Sequence, residues 1–266
     1  MITPTVAVVL HAHPDDEAIF TGLTIRRLAD AGTRVVLVTA TCGEQGEPRI
    51  ALRPGESMRA RRTRELEDAC RLLGVARLEL LGYGDSGAHD GPYHPGALGA
   101  APVGQIARRL RRVVEHEGAD TLIHYDPRGI YGHIDHVQVH RAGARVVEQL
   151  GLTGFEATVD AVRLRRGPRH VLHGAAGDDL DVGVPLSQIA LTVHGDEREL
   201  AAKFAAMSAH ASQIGPEYLD RAPFARGYGR EWFVRTGRQG APAATGMLDG
   251  SLEGRIEREP MRAGAA

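Results

Sequence analysis

Four short apolar runs, each followed by a stretch of helical periodicity, constrain the fold of this 266-residue chain more than any other feature. Val6 to Leu10 and Arg34 to Thr41 are rich in β-branched residues and too short for helices, so they read as strands buried on both faces. Arg77 to Leu81 and Thr121 to Tyr125 read as the third and fourth. Between them lie helical stretches: one from the Asp15-Asp16-Glu17 acids to about Ala31, one from Glu56 to Leu73, one from Val103 to Glu117. Gly32, Gly74 and Gly118 stop them, and a further helix starts near Asp135. This alternation predicts an α/β fold: a Rossmann-like, mostly parallel sheet with helices on both faces, over about residues 1–150.

After Gly151 the rhythm changes. Ala161 to Arg166, Gln188 to Val193 and Glu231 to Arg235 read as strands, and Asp196 to Ala211 as a helix. The expectation is a smaller C-terminal α/β extension over about 151–237, completing one domain over 1–237. Residues 238–266 are rich in Gly, Ala and charge and are expected to form a poorly ordered tail. The 42% hydrophobic content suffices for a sizeable core, and a net charge of -2 offers no electrostatic case for nucleic acid or an anionic membrane. Two cysteines, Cys42 and Cys70, are too few for a disulfide scaffold. The first apolar run is too short for a signal peptide or a membrane span, so the reading is a soluble, cytoplasmic protein. Its oligomeric state is left open, a homo-oligomer included.

In open α/β sheets, ligands bind outside the carboxyl ends of the strands. Three polar clusters fall there: His11-Ala-His13-Pro14-Asp15-Asp16-Glu17 after the first strand, Gly43-Glu44-Gln45-Gly46-Glu47 after the second, and Asp126 to His136 after the fourth. Sheet order should bring the first and third together. Carboxylates and imidazoles at one sheet edge suit a divalent metal. Zinc accepts both, and a catalytic site uses three protein ligands and one open position. His13 and Asp16 lie three apart at a loop-to-helix junction, where both can point to one spot; His133 and His136 are candidates for the third ligand. Taken singly, an Asp pair before a helix is an ordinary N-cap, and two histidines at helical spacing are ordinary surface residues. Their joint occurrence at two strand ends favours the metal. Iron(II) accepts the same donors. An iron oxygenase would usually carry them on a β-barrel, and a dinucleotide-binding protein would carry a Gly-x-Gly-x-x-Gly loop after the first strand, which this chain lacks. A catalytically dead binding module would not need an intact ligand set.

The run His13-Pro14-Asp15-Asp16-Glu17, with Gly132-His133-x-Asp135-His136 far downstream, resembles the PIG-L / LmbE-like family of metal-dependent de-N-acetylases. Gly43 to Glu47, Arg62-x-x-Glu65-Leu66 with Leu73-Gly74-Val75, Leu81 to Gly87, and Lys203 with His210-x-Ser212-Gln213 are similar to further motifs of that family, so the resemblance covers roughly residues 6–215. Ile134 departs from it, where many members have Pro. The resemblance implies an LmbE-like fold and a zinc-dependent amidohydrolase acting on an amino-sugar small molecule. It implies His13, Asp16 and His136 as metal ligands and Asp15 as general base. His133 would polarise the carbonyl or protonate the leaving amine, Asp135 would orient His133, and Tyr131 would help stabilise the oxyanion. Glu47, Arg62 and Asp85 would contact the sugar. De-N-acetylation of a GlcNAc-containing small molecule is the expected reaction. The alternatives are cleavage of mycothiol S-conjugates and deacetylation of a glycosylated natural product. His210, Ser212 and Gln213 are expected to order the C-terminal segment. His11, His89, His94 and His124 are expected to be structural or rim residues.

Overall fold

The computed structural model describes residues 6–88, 91–175 and 182–237. In chain order the strands are β1 (Val6–His11), β2 (Arg34–Thr39), β3 (Arg77–Leu80), β4 (Thr121–Tyr125), β5 (Thr153–Thr158), β6 (Leu191–His194) and β7 (Arg230–Gly237). The helices are α1 (Asp16–Phe20), α2 (Gly22–Asp30), α3 (Met58–Leu73), α4 (Val103–Glu117), α5 (Ile134–Leu150), α6 (Ala161–Arg166), α7 (Val171–Ala175), α8 (Glu197–Ala209) and α9 (Arg221–Tyr228). The expected tail at 238–266 and His89 lie outside the described residues.

One sheet runs in the order β3-β2-β1-β4-β5-β7-β6. The first five strands are parallel, and β7 pairs antiparallel with both β5 and β6. Ala7 to Leu10 and Val35 to Val38 are completely buried, as continuous apolar runs in a sheet covered on both sides should be. From β1 the chain steps outward through β2 to β3, then returns to the other side of β1 with β4 and β5. Helices α2, α3 and α8 pack together, while α4 packs against α5 and α5 against β4. The strand order therefore reverses between β1 and β4, the switch point where loops diverge and leave a crevice. The loops after β1 and β4 are set side by side at that crevice.

Several boundaries differ from the sequence reading. The first long helix is two, because Thr21 breaks it and donates its hydroxyl to the Glu17 carbonyl at 3.1 Å. Ala161–Arg166 is a helix, not a strand: the Asp160 side chain accepts the backbone N–H groups of Val162 and Arg163 and starts a helical turn. Thr153–Thr158 is a strand that its mixed composition hides, buried between β4 and β7. The segment after Gly151 continues the same sheet. It is anchored by Lys203, the only lysine. Its ammonium donates to Glu231 at 2.7 Å, with both side chains buried. Glu231 also accepts the backbone N–H groups of Leu23 and Thr24 at 2.8 and 2.9 Å, tying β7 to the first turn of α2.

A second polar cluster lies beneath α5. The register sets His124 beside Glu156, and His140 of α5 reaches within 3.5 Å of the Glu156 carboxyl. Burial, with Asp126 adding repulsion, pushes the Glu156 pKa from its ordinary value of 4.5 up to about 7. The folded state thus holds this proton more tightly than the unfolded chain. The resulting stability is present in full below pH ~4.5 and is lost as pH rises through ~7. Glu156→Gln should therefore be more stable than the parent at pH 8, by on the order of 2 kcal/mol or several degrees in Tm. The advantage should shrink toward zero at pH 4.5. Thermal melts of both proteins at the two pH values measure it, and a gap that does not widen with pH would count against the burial of a neutral carboxyl.

Candidate metal centre and active site

Three side chains, from the loop after β1 and the first turns of α1 and α5, converge. His13 Nδ1 and His136 Nε2 are 3.3 Å apart, His136 Nε2 and Asp16 Oδ2 3.4 Å, and His13 Nδ1 and Asp16 Oδ2 3.6 Å. A tetrahedral metal with bonds of ~2.0–2.1 Å would need its donors ~3.3–3.4 Å apart, so the set fits zinc or a similar divalent ion with little adjustment. All three are buried. The surroundings hold them. The His13 backbone N–H donates to Asp16 at 2.8 Å, and the Tyr125 hydroxyl donates to the same carboxylate at 2.7 Å. The Tyr125 ring stacks on His136 at 4.3 Å and 10°. Gly129, at φ 61°, lets the preceding turn lie against the start of α5: a Cβ there would sit 2.5 Å from that of His136. The Asp126 carboxylate knits this turn, accepting the N–H groups of Arg128 and Ile130 and the Thr158 hydroxyl.

The local field favours a cation. Although burial opposes a charged imidazole, Asp135, Asp16 and Asp85 together hold the His13 pKa well above its ordinary value. His13 Nε2 is 3.2 Å from Asp135 and 3.5 Å from Asp85. With Nε2 donating to carboxylates, Nδ1 is free to bind a metal, the usual outer support of a metal-bound histidine.

Asp15 stands beside this set and outside it. Its φ of 111° and ψ of -31° are well off the basins of L-residues, a strain that costs ~1–3 kcal/mol and persists only where the surroundings impose it. Arg62 donates to its carboxylate at 3.0 Å and also to the carbonyls of Pro14 and Gly43. Gly43 is obligatory for this approach, since a Cβ there would lie 2.3 Å from the guanidinium. Burial raises the Asp15 pKa to about 6; Arg62 opposes this and the neighbouring Asp16 adds to it. A carboxylate tuned toward neutrality is suited to taking and returning a proton.

His133 caps α5, its Nδ1 accepting the Asp135 N–H at 3.2 Å. That assignment leaves the hydrogen on Nε2. Burial, with repulsion from His13 and His136, lowers the His133 pKa to about 4, so the ring is a neutral donor at pH 7. The Tyr131 hydroxyl lies 3.4 Å from His136 Nε2. His133 and Tyr131 line a cleft of about 480 Å³, together with Asp15, Glu47, Asp85 and Gln213.

Two side chains have partners that the sequence did not indicate. Asp135 meets His133 through its backbone N–H, while its carboxylate engages His13 and both the N–H and hydroxyl of Ser86, because the first turn of α5 directs it across to the β1 loop. Arg62 is only 4% exposed and donates to Asp15 and two carbonyls, so it positions that carboxylate while also lining the cleft. Asp85 is also drawn inward. Against the upward push of burial, His13 and the N–H groups of Gly87 and Gln45 hold its pKa below the usual range. Glu47 is exposed at the cleft, its carbonyl accepting from Gln213 at 3.1 Å. His11 and His124 are buried and bonded to Tyr125, and His94 is exposed, its ring against Gly84. Tyr125 escaped the sequence reading, although its position at the end of β4, next to Asp126, was the available signal.

Residues 8–147 match the family model described as PIG-L, GlcNAc-PI de-N-acetylase. The chain is 33% identical to a 1D-myo-inositol 2-acetamido-2-deoxy-alpha-D-glucopyranoside deacetylase of Thermomonospora curvata, over 92% of this chain and 95% of that one. It is 34% identical to the protein of the same name from Streptomyces avermitilis, over 91% and 95%. The solved N,N'-diacetylchitobiose deacetylase of Pyrococcus horikoshii is similar in fold, with a TM-score of 0.59 at 21% identity over 88% of this chain and 84% of that one. No described helix is long and apolar enough to cross a membrane. With the family motif's residues gathered around one cleft and the match extending over more than half its length, the chain belongs to the PIG-L family of de-N-acetylases.

Proposed function

We propose that this protein hydrolyses the acetamide of a GlcNAc-bearing small molecule, with zinc held by His13, Asp16 and His136. The observation that carries the reading is the mutual 3.3–3.6 Å spacing of those donors beside a carboxylate tuned to about 6, in one cleft. When bound, zinc would supply an acidified water and a Lewis acid for the amide carbonyl. Asp15 takes the attacking water's proton, a role worth ~10²–10⁴-fold in rate. His133, through Nε2–H, and the Tyr131 hydroxyl donate to the carbonyl oxygen as negative charge develops, each worth ~3 kcal/mol where the geometry is good. Asp15, now protonated, returns the proton to the departing amine. Glu47 is the exposed residue placed to read a sugar hydroxyl.

The test is amine release from GlcNAc, GlcNAc-inositol, GlcNAc-malate and a mycothiol S-conjugate, with zinc-loaded and chelated protein in parallel. Zinc-dependent release from the acetylated sugars is expected, and the ranking names the aglycone. Release from the thiol conjugate alone would replace this reading with an amidase. Silence on all four would overturn small-molecule deacetylation and direct attention to larger glycosylated natural products.

A further inference from the structure

Two groups of residues that the reaction does not touch meet behind Asp15. Glu17 is completely buried, and its carboxylate is divided between two donors. Oε2 accepts the backbone N–H of Asp15 at 2.9 Å, and Oε1 accepts Nε2 of His210 at 2.6 Å. His210 is also completely buried and stands 193 positions further along the chain. We propose that Glu17 and His210 form a clamp that holds Asp15 in its strained backbone pose, making them positioning residues for the general base; the proposal rests on the base role given to Asp15 above.

Asp15 and Asp16 are adjacent in the chain. Asp16 must face the metal and Asp15 must face the cleft, so consecutive residues have to aim two carboxylates into one small space. The chain achieves this with φ 111° at Asp15, which a non-glycine residue leaves as soon as its surroundings allow. Arg62 fixes the side-chain end of Asp15 at 3.0 Å. The same guanidinium also donates to the Pro14 carbonyl, so it holds one side of the peptide between Pro14 and Asp15. The hydrogen bond from the Asp15 N–H to Glu17 holds the opposite side, so that rotating the peptide would strand its N–H and a buried carboxylate oxygen together. Glu17 in turn would be free to swing without His210.

His210 is itself held from several sides. It follows α8, and its carbonyl accepts the N–H groups of Gln213 and Ile214 at 2.9 and 2.8 Å. Ser212 donates both its N–H and its hydroxyl to Glu65 of α3, and its carbonyl accepts the Arg49 N–H at 2.9 Å. The segment His210–Gln213 is thus bolted to the helix that also carries Arg62. Both ends of Asp15, its N–H and its carboxylate, are referred to α3: the first through Glu17, His210 and Ser212, the second directly. This gives Glu17 and the His210-x-Ser212-Gln213 motif a purpose beyond packing.

The decisive comparison uses full-length, zinc-loaded protein and its best acetylated sugar. Glu17→Gln keeps the shape but loses one of the two acceptors. It is expected to lower kcat by ~10–100-fold, the size of effect that a misplacement of ~1 Å produces, with KM within about threefold and one zinc per chain retained. His210→Ala should behave alike. His210→Gln, which restores an N–H donor, should recover most of the lost kcat; a role in packing alone would not show that split and rescue. In the parent protein the Asp15 amide should exchange with solvent as slowly as amides of β1. Folded, zinc-loaded Glu17→Gln and His210→Ala with kcat within twofold of the parent would overturn the clamp. If those variants do not fold, an Asp15 amide that exchanges as fast as an open loop overturns it equally. A parent protein inactive on every acetylated sugar would sink the functional reading instead, and the amide measurement would still judge the clamp.

Discussion

Asp15→Ala protein should keep one zinc per chain and lose turnover by roughly 10²–10⁴-fold. The separation follows from geometry. The converging donors are His13, Asp16 and His136, all within 3.6 Å of one another, and Asp15 belongs to none of these contacts. Its carboxylate is engaged by Arg62, on the cleft side of the site. Truncating it removes a proton acceptor and leaves each donor and its support in place: the Tyr125 hydroxyl on Asp16, and Asp135 on His13. Arg62 keeps its bonds to the carbonyls of Pro14 and Gly43, so the variant should remain folded. Zinc analysis, a thermal melt and amine release on one preparation give the answer. Turnover within threefold of the parent would take the base role away from Asp15, and loss of zinc would make it a ligand.

His136→Ala should do the opposite, losing the metal first and activity as its consequence. With two donors left, a dilute divalent ion is no longer retained through dialysis. Lewis-acid chemistry is worth several kcal/mol, so kcat/KM should fall by at least ~10³-fold. A second reading comes from stability. A ligand that binds only the folded state raises stability by ~4 kcal/mol at a thousandfold excess over its Kd. The parent should therefore melt at a higher temperature when zinc is added, and His136→Ala should not respond. A variant that binds one zinc and shows the same thermal response would remove His136 from the metal centre. Set beside Asp15→Ala, it divides the cleft into residues that hold the ion and a residue that moves the proton.

The alternation, and the placing of His13 and Asp16 at one strand end, were legible because both are local; the choice of His136 over His133 came from the family resemblance. A strand followed by Pro14-Asp15-Asp16 puts its acids at a strand end whatever the rest of the chain does, and β1 to β4 formed from the runs read as strands. The roles of the outer residues were not legible, because adjacency in sequence misled. Asp135 lies two residues from His133 yet binds His13, since the start of α5 rotates successive side chains by ~100°. Arg62 and Glu65 have the spacing of a surface ion pair, yet they are turned inward to Asp15 and Ser212. Residues 161–166 alternate like a strand, yet Asp160 caps them into a helix, while the weakly patterned 153–158 becomes a strand because β4 and β7 flank it.

Sequence by itself determined the α/β class and the strand ends where the polar clusters gather, because these depend on periodicity and on residue type at short range; beside His13 and Asp16 it left His133 and His136 as alternatives. Only the tertiary structure decided which carboxylate steadies which histidine, that Arg62 serves Asp15, and that Glu17 meets His210. Those pairings depend on which buried polar group lies within hydrogen-bonding reach after the sheet has closed, and burial leaves each group no solvent to bond instead.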